Sequence, residues 1–405
     1  MAGLDKAKTM EPYMALSKIA ESMIVDYGFY SDVTAAQRIV EGVAAAKELG
    51  KRPRIAAGLV NNDYDGIFME LFDKYVDRIQ DGMKIVGYAT GAVDYKVYFK
   101  EKFADKALEM DGEVTDVISL RAMNHQECLD VVLHFMTYVA ISTYFENDFS
   151  IDHKIYLAVK KDGVIGPLEP YKFGTKVSEI VGDTFDAKAI VVGNKLYSPA
   201  VGAEVEIGPG NLPSNGIIEV LSNKECLIDY VYKEATRQRK ESCGKCMFCR
   251  EGGIQIQTIM NLMTLGKGSM EDLELIKDLE EAMPYSSICS IGRSAANTVT
   301  GLTTYFMSEI EDHVIKRRCA ADVCQSFMNI YIDPSKCTGC CECLDACPED
   351  AIEGDTGFIH MIDEGCCTKC GKCAEVCEDD AVVRAPGRVP KLPTKLTKVG
   401  KWKRR

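Results

Sequence analysis

Apolar positions along the first fifty residues recur at helical intervals. Met14, Leu16, Ile19, Ala20 and Met23 are roughly periodic, and "YGFYSDVTAAQRIVEGVAAAKELG" also reads as helix. Much later, "GSMEDLELIKDLEEAM" is an amphipathic helix. Ser269 and Asp272 suit a capping box there, and Leu275, Ile276, Leu279 and Met283 mark its buried face. Between these helical regions, Gly-rich strands follow "KFGTKVSEIVGD". No stretch of about 18 apolar residues appears, so the pattern predicts no membrane span.

Composition narrows the class. A chain of 405 residues can hold two to four domains, and a net charge of −13 argues against nucleic acid as a partner. The N-terminal "MAGLDKAKTMEPYMALSKIAESM" carries charges throughout, unlike a signal peptide, which makes the expected location cytoplasmic. Eighteen cysteines in a reducing compartment point to metal rather than disulfides, and sixteen of them fall between Cys243 and Cys377.

Two runs share one spacing. "CTGCCECLDACP" supplies Cys337, Cys340, Cys343 and Cys347, and "CTKCGKCAEVC" supplies Cys367, Cys370, Cys373 and Cys377. C-x2-C-x2-C-x3-C is the bacterial ferredoxin run, in which the fourth cysteine of each motif ligates the other motif's cluster. One 4Fe–4S cluster is therefore assigned to Cys337, Cys340, Cys343 and Cys377, and a second to Cys367, Cys370, Cys373 and Cys347. Zinc or unligated thiols are the alternatives, and two full copies weigh against both. Cys341 and Cys366 stand off the spacing and are spare. Such clusters pass single electrons but offer no site for a two-electron substrate.

"SCGKCMFCREGG" contributes Cys243, Cys246 and Cys249, one thiolate short of a cubane. "PYSSICSIGRSAANTVTGLTTYFMSEIEDH" downstream has a single cysteine, Cys289. Two helices folding back would bring it to the triplet and complete a third cluster. The spacing alone is only moderately specific.

These segments together, with "FMSEIEDHVIKRRCAADVC" and the ferredoxin that follows, resemble the NADH-binding flavoprotein subunit of complex I. The resemblance extends to relatives in cytoplasmic, often electron-bifurcating, hydrogenase and dehydrogenase complexes. It implies one 4Fe–4S cluster on Cys243, Cys246, Cys249 and Cys289 in a helical domain. Upstream, "RIAAGLVNNDYDG" resembles the family's strand and acidic turn, keeping Asn61 and Asp63 but placing Tyr64 at the acidic position. "DGMKIVGYATGAVDYKVYFKEKFADKALE" matches the helix and strand that follow, and "AMNHQECLDVVLHF" keeps Asn124 and Glu127 of a second segment. The family's flavin loop, G-R-G-G-x-G-F-P, needs glycine for close backbone approach, yet the corresponding stretch before Lys51 reads as helix. The G-E-E-T-A segment is also missing, and "VGAEVEIGPG" has neither the spacing nor the following helix of a dinucleotide loop. FMN is therefore not expected in this chain.

In hydrogenase-type relatives with the ferredoxin extension, the resemblance implies a zinc site between cluster domain and ferredoxin. Cys226, His313, Cys319 and Cys324 are the residues left to form it. Three thiolates and one imidazole suit tetrahedral zinc, although H-x5-C-x4-C is a weak signal alone and buried free thiols are the alternative. His125, His134, His153 and His360 have no ligand-spaced neighbours and read as surface or satisfied core. The segment "RAPGRVPKLPTKLTKVGKWKRR" has nine Lys or Arg, no acid and three prolines, and is expected to lie extended on an acidic partner subunit or to stay disordered.

The expected fold is α+β and multi-domain. It comprises helices and a degenerate flavoprotein-type α/β domain (1–164), a β-grasp domain (165–222), a helical 4Fe–4S domain (223–325), a two-cluster ferredoxin (326–385) and a basic tail (386–405). The expected role is an electron-relay subunit with three 4Fe–4S clusters and one zinc, no catalytic residue of its own, and partners that include a flavin-bearing subunit and possibly ferredoxin. An FMN-containing NAD(P)H oxidase subunit and a scaffold with non-redox clusters are the rival expectations.

Overall fold

The computed structural model describes residues 2–27, 33–59, 63, 65–99, 101–109, 113–114, 130–213, 215–287, 290–386 and 389–402. Packing divides the chain into two units: Met1–Asn223, Val231–Thr258 and Leu273–Met307 in one, and Lys224–Tyr230, Ile259–Asp272 and Ser308–Arg405 in the other.

The first unit opens with three helices, α1 (Ala2–Ala7), α2 (Pro12–Glu21) and α3 (Ala35–Glu48). Thr34 starts α3 by accepting a hydrogen bond from Gln37 N, an N-cap that satisfies one free donor. The expected face of α2 is displaced. Ala15 and Ile19 are buried one turn apart, whereas Met14, Ala20 and Met23 are exposed. Pro12 fixes the start of the helix, and it ends at Glu21, so Met23, at φ 52°, falls outside its period.

A parallel sheet follows, with β1 (Arg54–Gly58), β2 (Tyr95–Phe99), β3 (Glu113–Val114) and β4 (Asp130–His134) in the order β3-β2-β1-β4. Parallel neighbours need a crossover, and α4 (Phe72–Thr90) supplies the one between β1 and β2. The helix Phe135–Glu146 has no polar stripe and is buried almost throughout, as an apolar helix must be. It approaches α4 closely: a Cβ on Gly82 would lie 2.8 Å from the Tyr138 carbonyl carbon. Tyr138 then donates its hydroxyl to Ala56 O at 2.8 Å, tying that helix to β1.

The second sheet of this unit has the order β6-β5-β10-β8-β9, with β7 paired to β5. Its strands are β5 (Lys154–Lys161), β6 (Val164–Ile165), β7 (Glu169–Lys172), β8 (Ala187–Val192), β9 (Lys195–Tyr197) and β10 (Ile217–Ser222). The sheet therefore takes in β5, upstream of the expected start at residue 165. Four helices come next: Leu227–Lys240, Met247–Thr264, Asp272–Ser286 and Ser290–Tyr305. The Ser269–Asp272 box is formed, with Ser269 N donating to Asp272 Oδ2 at 2.8 Å and Asp272 N donating to Ser269 Oγ at 3.3 Å. Its helix buries Leu273, Ile276, Leu279 and Met283. Leu275, expected on that face, is 40% exposed, because Leu273 rather than Leu275 lies three residues before Ile276.

The second unit pairs β11 (Met328–Ile332) with β15 (Val382–Pro386), and β12 (Ile352–Glu353) with β14 (Met361–Ile362). β13 (Phe358–Ile359) pairs with β16 (Thr397–Lys398). Its core holds Ile330, Ile332, Ile352 and Ile359 together with Cys337, Cys343 and Cys373. Among the described residues, no helix is long and apolar enough to cross a membrane.

Candidate metal centres

The two ferredoxin motifs fold alike. Gly339 and Lys369 occupy the same place in each repeat, and both are left-handed, at φ 74° and 58°. Cys341 and Gly371 match in the same way, at φ 74° and 87°. Gly339 has no alternative, since a Cβ there would lie 2.8 Å from the backbone of Gly357 and Phe358. Backbone amides point at sulfur in both repeats. Ala351 N donates to Cys347 Sγ and Ala381 N to Cys377 Sγ, each at 3.3 Å, and Lys369 N donates to Cys367 Sγ at 3.3 Å.

Thiols gather across the motifs as well as within them. Burial pushes Cys343 up to about 12, aided by Cys337, Cys340, Cys373 and Cys377, the last two from the other repeat. Burial also raises Cys373, aided by Cys367, Cys370 and Cys347. Cys347, Cys367, Cys370 and Cys373 line one small cavity with Ile330, Ile352 and Ile362. Crowding that disfavours several thiolates together is the environment a cationic iron core relieves. Of the spare cysteines, Cys366 is exposed, and Cys341 lies 3.7 Å from Thr356 Oγ1.

One residue escaped the sequence reading. His360 is buried, with Nδ1 3.7 Å from Cys337 Sγ, and Gly354 lies so close that a Cβ would strike the ring at 2.7 Å. Burial lowers its pKa. No local spacing links residues 337, 354 and 360, so only the strand pairing brings them together.

In the first unit, Cys243, Cys246 and Cys249 wrap the start of the helix Met247–Thr264. Gly244, at φ 75°, makes the turn, and its carbonyl accepts from Arg250 at 3.0 Å. Ser242 Oγ lies 3.5 Å from Cys249 Sγ. Cys289 lies outside the described residues, but a Cβ on its neighbour Gly292 would sit 3.3 Å from Cys249 Cβ. Gly253, Ile256, Ile291 and Ala295 line a cavity with Cys249.

The remaining four candidates converge in the second unit. The ligand atoms of Cys226, His313, Cys319 and Cys324 all lie within 4.8 Å of one another, and every one of these residues is buried. Cys226 Sγ is 3.2 Å from His313 Nε2, and Cys324 Sγ is 3.6 Å from Cys226 Sγ and 3.5 Å from His313 Nε2. Around tetrahedral zinc, with Zn–S about 2.3 Å and Zn–N about 2.0 Å, ligand atoms lie roughly 3.4–3.8 Å apart, so the donor set fits. His313 Nδ1 meets Glu309 O at 2.9 Å, which fixes the tautomer and leaves Nε2 facing the thiols. Phe327 stands edge-on to the imidazole at 5.3 Å. Hydrogen bonds with Cys226 and Cys324 depress the Cys319 thiol, while those with Cys226 and Cys319 raise Cys324.

Of the upstream candidates, Asn61, Tyr64, Asn124 and Glu127 lie outside the described residues, as does His125. Asp63 is buried and caps a 3-10 turn, accepting from Ile67 N at 2.9 Å and Phe68 N at 3.3 Å. His134 is buried at the carboxyl end of β4, and burial lowers its pKa to about 3. His153 stacks on Phe173.

Residues 230–313 match the NADH-ubiquinone oxidoreductase-F iron–sulfur binding region, and residues 330–353 match a 4Fe–4S binding domain. This chain carries both iron–sulfur binding modules. It is homologous to the NADP-reducing hydrogenase subunit HndC of Solidesulfovibrio fructosivorans, 31% identical over 40% of this chain and 33% of that protein. A Streptomyces coelicolor NADH-quinone oxidoreductase subunit is 29% identical over 29% of this chain and 26% of that one. The chain thus spans about a third or less of the length of these relatives. An NAD+-reducing [NiFe]-hydrogenase, in the air-oxidised state, shares the fold at a TM-score of 0.61 and 18% identity, over 75% of this chain and 63% of that one. The second ferredoxin motif lies beyond the matched segment, and its placement rests on the repeat geometry alone.

Proposed function

We propose that this chain is the iron–sulfur electron-transfer subunit of a cytoplasmic, multi-subunit, flavin-dependent oxidoreductase. It relays single electrons through three 4Fe–4S clusters, while partner subunits carry flavin and substrate. The observation that carries the reading is the one cavity lined by Cys347 of the first repeat together with Cys367, Cys370 and Cys373 of the second. Cys337, Cys340, Cys343 and Cys377 hold one cluster, Cys367, Cys370, Cys373 and Cys347 the second, and Cys243, Cys246, Cys249 and Cys289 the third. When bound, the clusters supply one-electron chemistry. The chain holds them in place, points the Ala351, Ala381 and Lys369 amides at ligand sulfur, and keeps water from the buried thiolates. Cys226, His313, Cys319 and Cys324 hold a structural zinc, a closed four-ligand set with no open position.

Flavin belongs on a partner in this reading. Helix α3 fills the stretch where a glycine loop would be needed, and Asp63 is engaged as a cap. The test is anaerobic purification with metal analysis and spectroscopy. The expected result is about twelve iron atoms per chain, all reducible by dithionite, with no acid-released flavin and no NADH-dependent dye reduction. One flavin per chain would place the oxidation site here instead, and iron that dithionite cannot reduce would make the clusters purely structural.

A further inference from the structure

The basic segment expected to lie on a partner is folded onto its own unit. β16 pairs with β13, Val399 N donates to Gly357 O at 3.1 Å, and Trp402 packs on the core that holds Cys337 and Cys343. Pro393 is buried as well. The backbone is thereby a strap across the ferredoxin, and its charges stay outside. Lys391, Lys395, Lys398 and Lys401 are all exposed, and none of them meets a carboxylate among the described residues. Lys398 rests only over the Phe358 ring, at 5.9 Å.

The strap's position matters. Gly357, which receives Val399, donates its own N–H to Gly339 O at 3.0 Å. Gly339 precedes Cys340, which is exposed, whereas Cys337 and Cys343 of the same motif are buried. Lys398, beside Val399, is therefore linked through two backbone hydrogen bonds to the residue before the exposed Cys340, and Lys391, Lys395 and Lys401 lie along the same segment. In a chain of net charge −13 this strip opposes the overall field. An acidic carrier is repelled by the rest of the molecule and attracted here, so the local charge sets where it lands.

We propose that the strap is the docking surface for an acidic one-electron carrier protein, which exchanges electrons at the cluster held by Cys337, Cys340, Cys343 and Cys377. The inference rests on the electron-relay reading above. The exchange is one electron from the reduced carrier to the oxidised cluster, with no atom transferred. Backbone pairing and Trp402 anchor the strap, while the lysine side chains do the recognition.

The test uses the full, cluster-loaded chain and K395E/K398E/K401E, which leaves Trp402 and the β16 hydrogen bonds in place. Stopped-flow reduction by a reduced, strongly acidic two-cluster ferredoxin is followed across ionic strength. Steering by charge does not depend on the cognate partner, so any such ferredoxin serves as the probe. The wild-type rate should fall with salt, and the variant should be at least about tenfold slower at low salt and nearly indifferent to it. Reduction by dithionite should be equally fast in both. Equal ferredoxin rates in the two proteins would overturn the proposal, and so would a loss that dithionite shares, since that is damage at the cluster. Duplex DNA displacing the ferredoxin from wild type, while the ferredoxin itself shows no salt dependence, would assign the lysines to nucleic acid and overturn it too. Clusters inert to dithionite in wild type would sink the relay reading itself, a separate outcome.

Discussion

Gly301→Ala tests how the third cluster is held. Gly301 sits in the helix Ser290–Tyr305, where alanine would ordinarily gain about 1 kcal/mol over glycine. Here the added Cβ would lie 2.6 Å from Leu196 N and 2.9 Å from Leu196 Cα, in β9. Ordinary contact needs about 3.4 Å or more, so the helix or the strand must retreat by roughly half an ångström or more. The obstacle is backbone, which has no rotamer to turn away, so the cost falls in the upper part of the range for overpacking, about 2–3 kcal/mol. The sequence preference is outweighed, and the net loss is about 1–2 kcal/mol, or roughly 2–8 °C in Tm for a unit of this size. Ile291 and Ala295 on the same helix line the cavity at Cys249, and Cys289 immediately precedes it, so iron should leave this centre first. Iron analysis after mild warming should move from about twelve toward about eight per chain while the ferredoxin spectrum persists. A Gly301→Ala protein as stable as wild type, with full iron, would refute the argument.

Other perturbations separate the remaining centres. Cys289→Ala should lower iron by about four atoms and leave the ferredoxin pair intact, and loss of all iron would show that the centres do not assemble independently. His313→Ala should remove about one zinc per chain and leave iron unchanged; wild-type protein that is zinc-free when purified without chelator would rule the site out. His360→Leu should shift the midpoint potential of one ferredoxin cluster downward. If the Cys337 contact favours the reduced state by about 0.5–1 kcal/mol, the shift is about 20–40 mV, readable in an EPR-monitored titration. Identical potentials in both clusters before and after would remove His360 from the tuning groups.

The cysteine framework was legible because spacing along the chain dictates which thiols a tight turn can present together. The zinc candidates were legible by chemistry, since Cys226, His313, Cys319 and Cys324 stand outside the cubane runs and three thiolates with one imidazole suit zinc. His360 was not, because a histidine 23 residues from Cys337 reaches it only through strand pairing. The strap was also missed: its lysines and prolines read as a solvated tail, and the two residues of β16 that pin it carry no pattern. The burial of α2 was read from hydrophobicity, which favours Met14 and Met23, whereas the packing chose Ala15 and Ile19, the i and i+4 pair that a close neighbour admits.

The carboxyl edge of the parallel sheet shows how a fold of this kind persists with its polar groups engaged by its own chain. At such an edge, strand ends and helix N-termini offer free N–H groups, which ligands of open α/β sheets ordinarily take up. Here Asp63 takes those of Ile67 and Phe68. The helix Phe135–Glu146 begins with Met136 N donating to His134 Nδ1 at 3.1 Å. Asp26, fully buried and 108 residues away, accepts from His134 N at 3.1 Å and from the Thr137 hydroxyl at 2.7 Å, while Tyr27 N donates to Thr137 Oγ1 at 3.1 Å. A buried donor must find an acceptor, and the segment between α2 and α3 supplies acceptors from the protein itself. Among the described residues, these edge groups are engaged from within the chain, which suits the proposed role of the sheet as a scaffold.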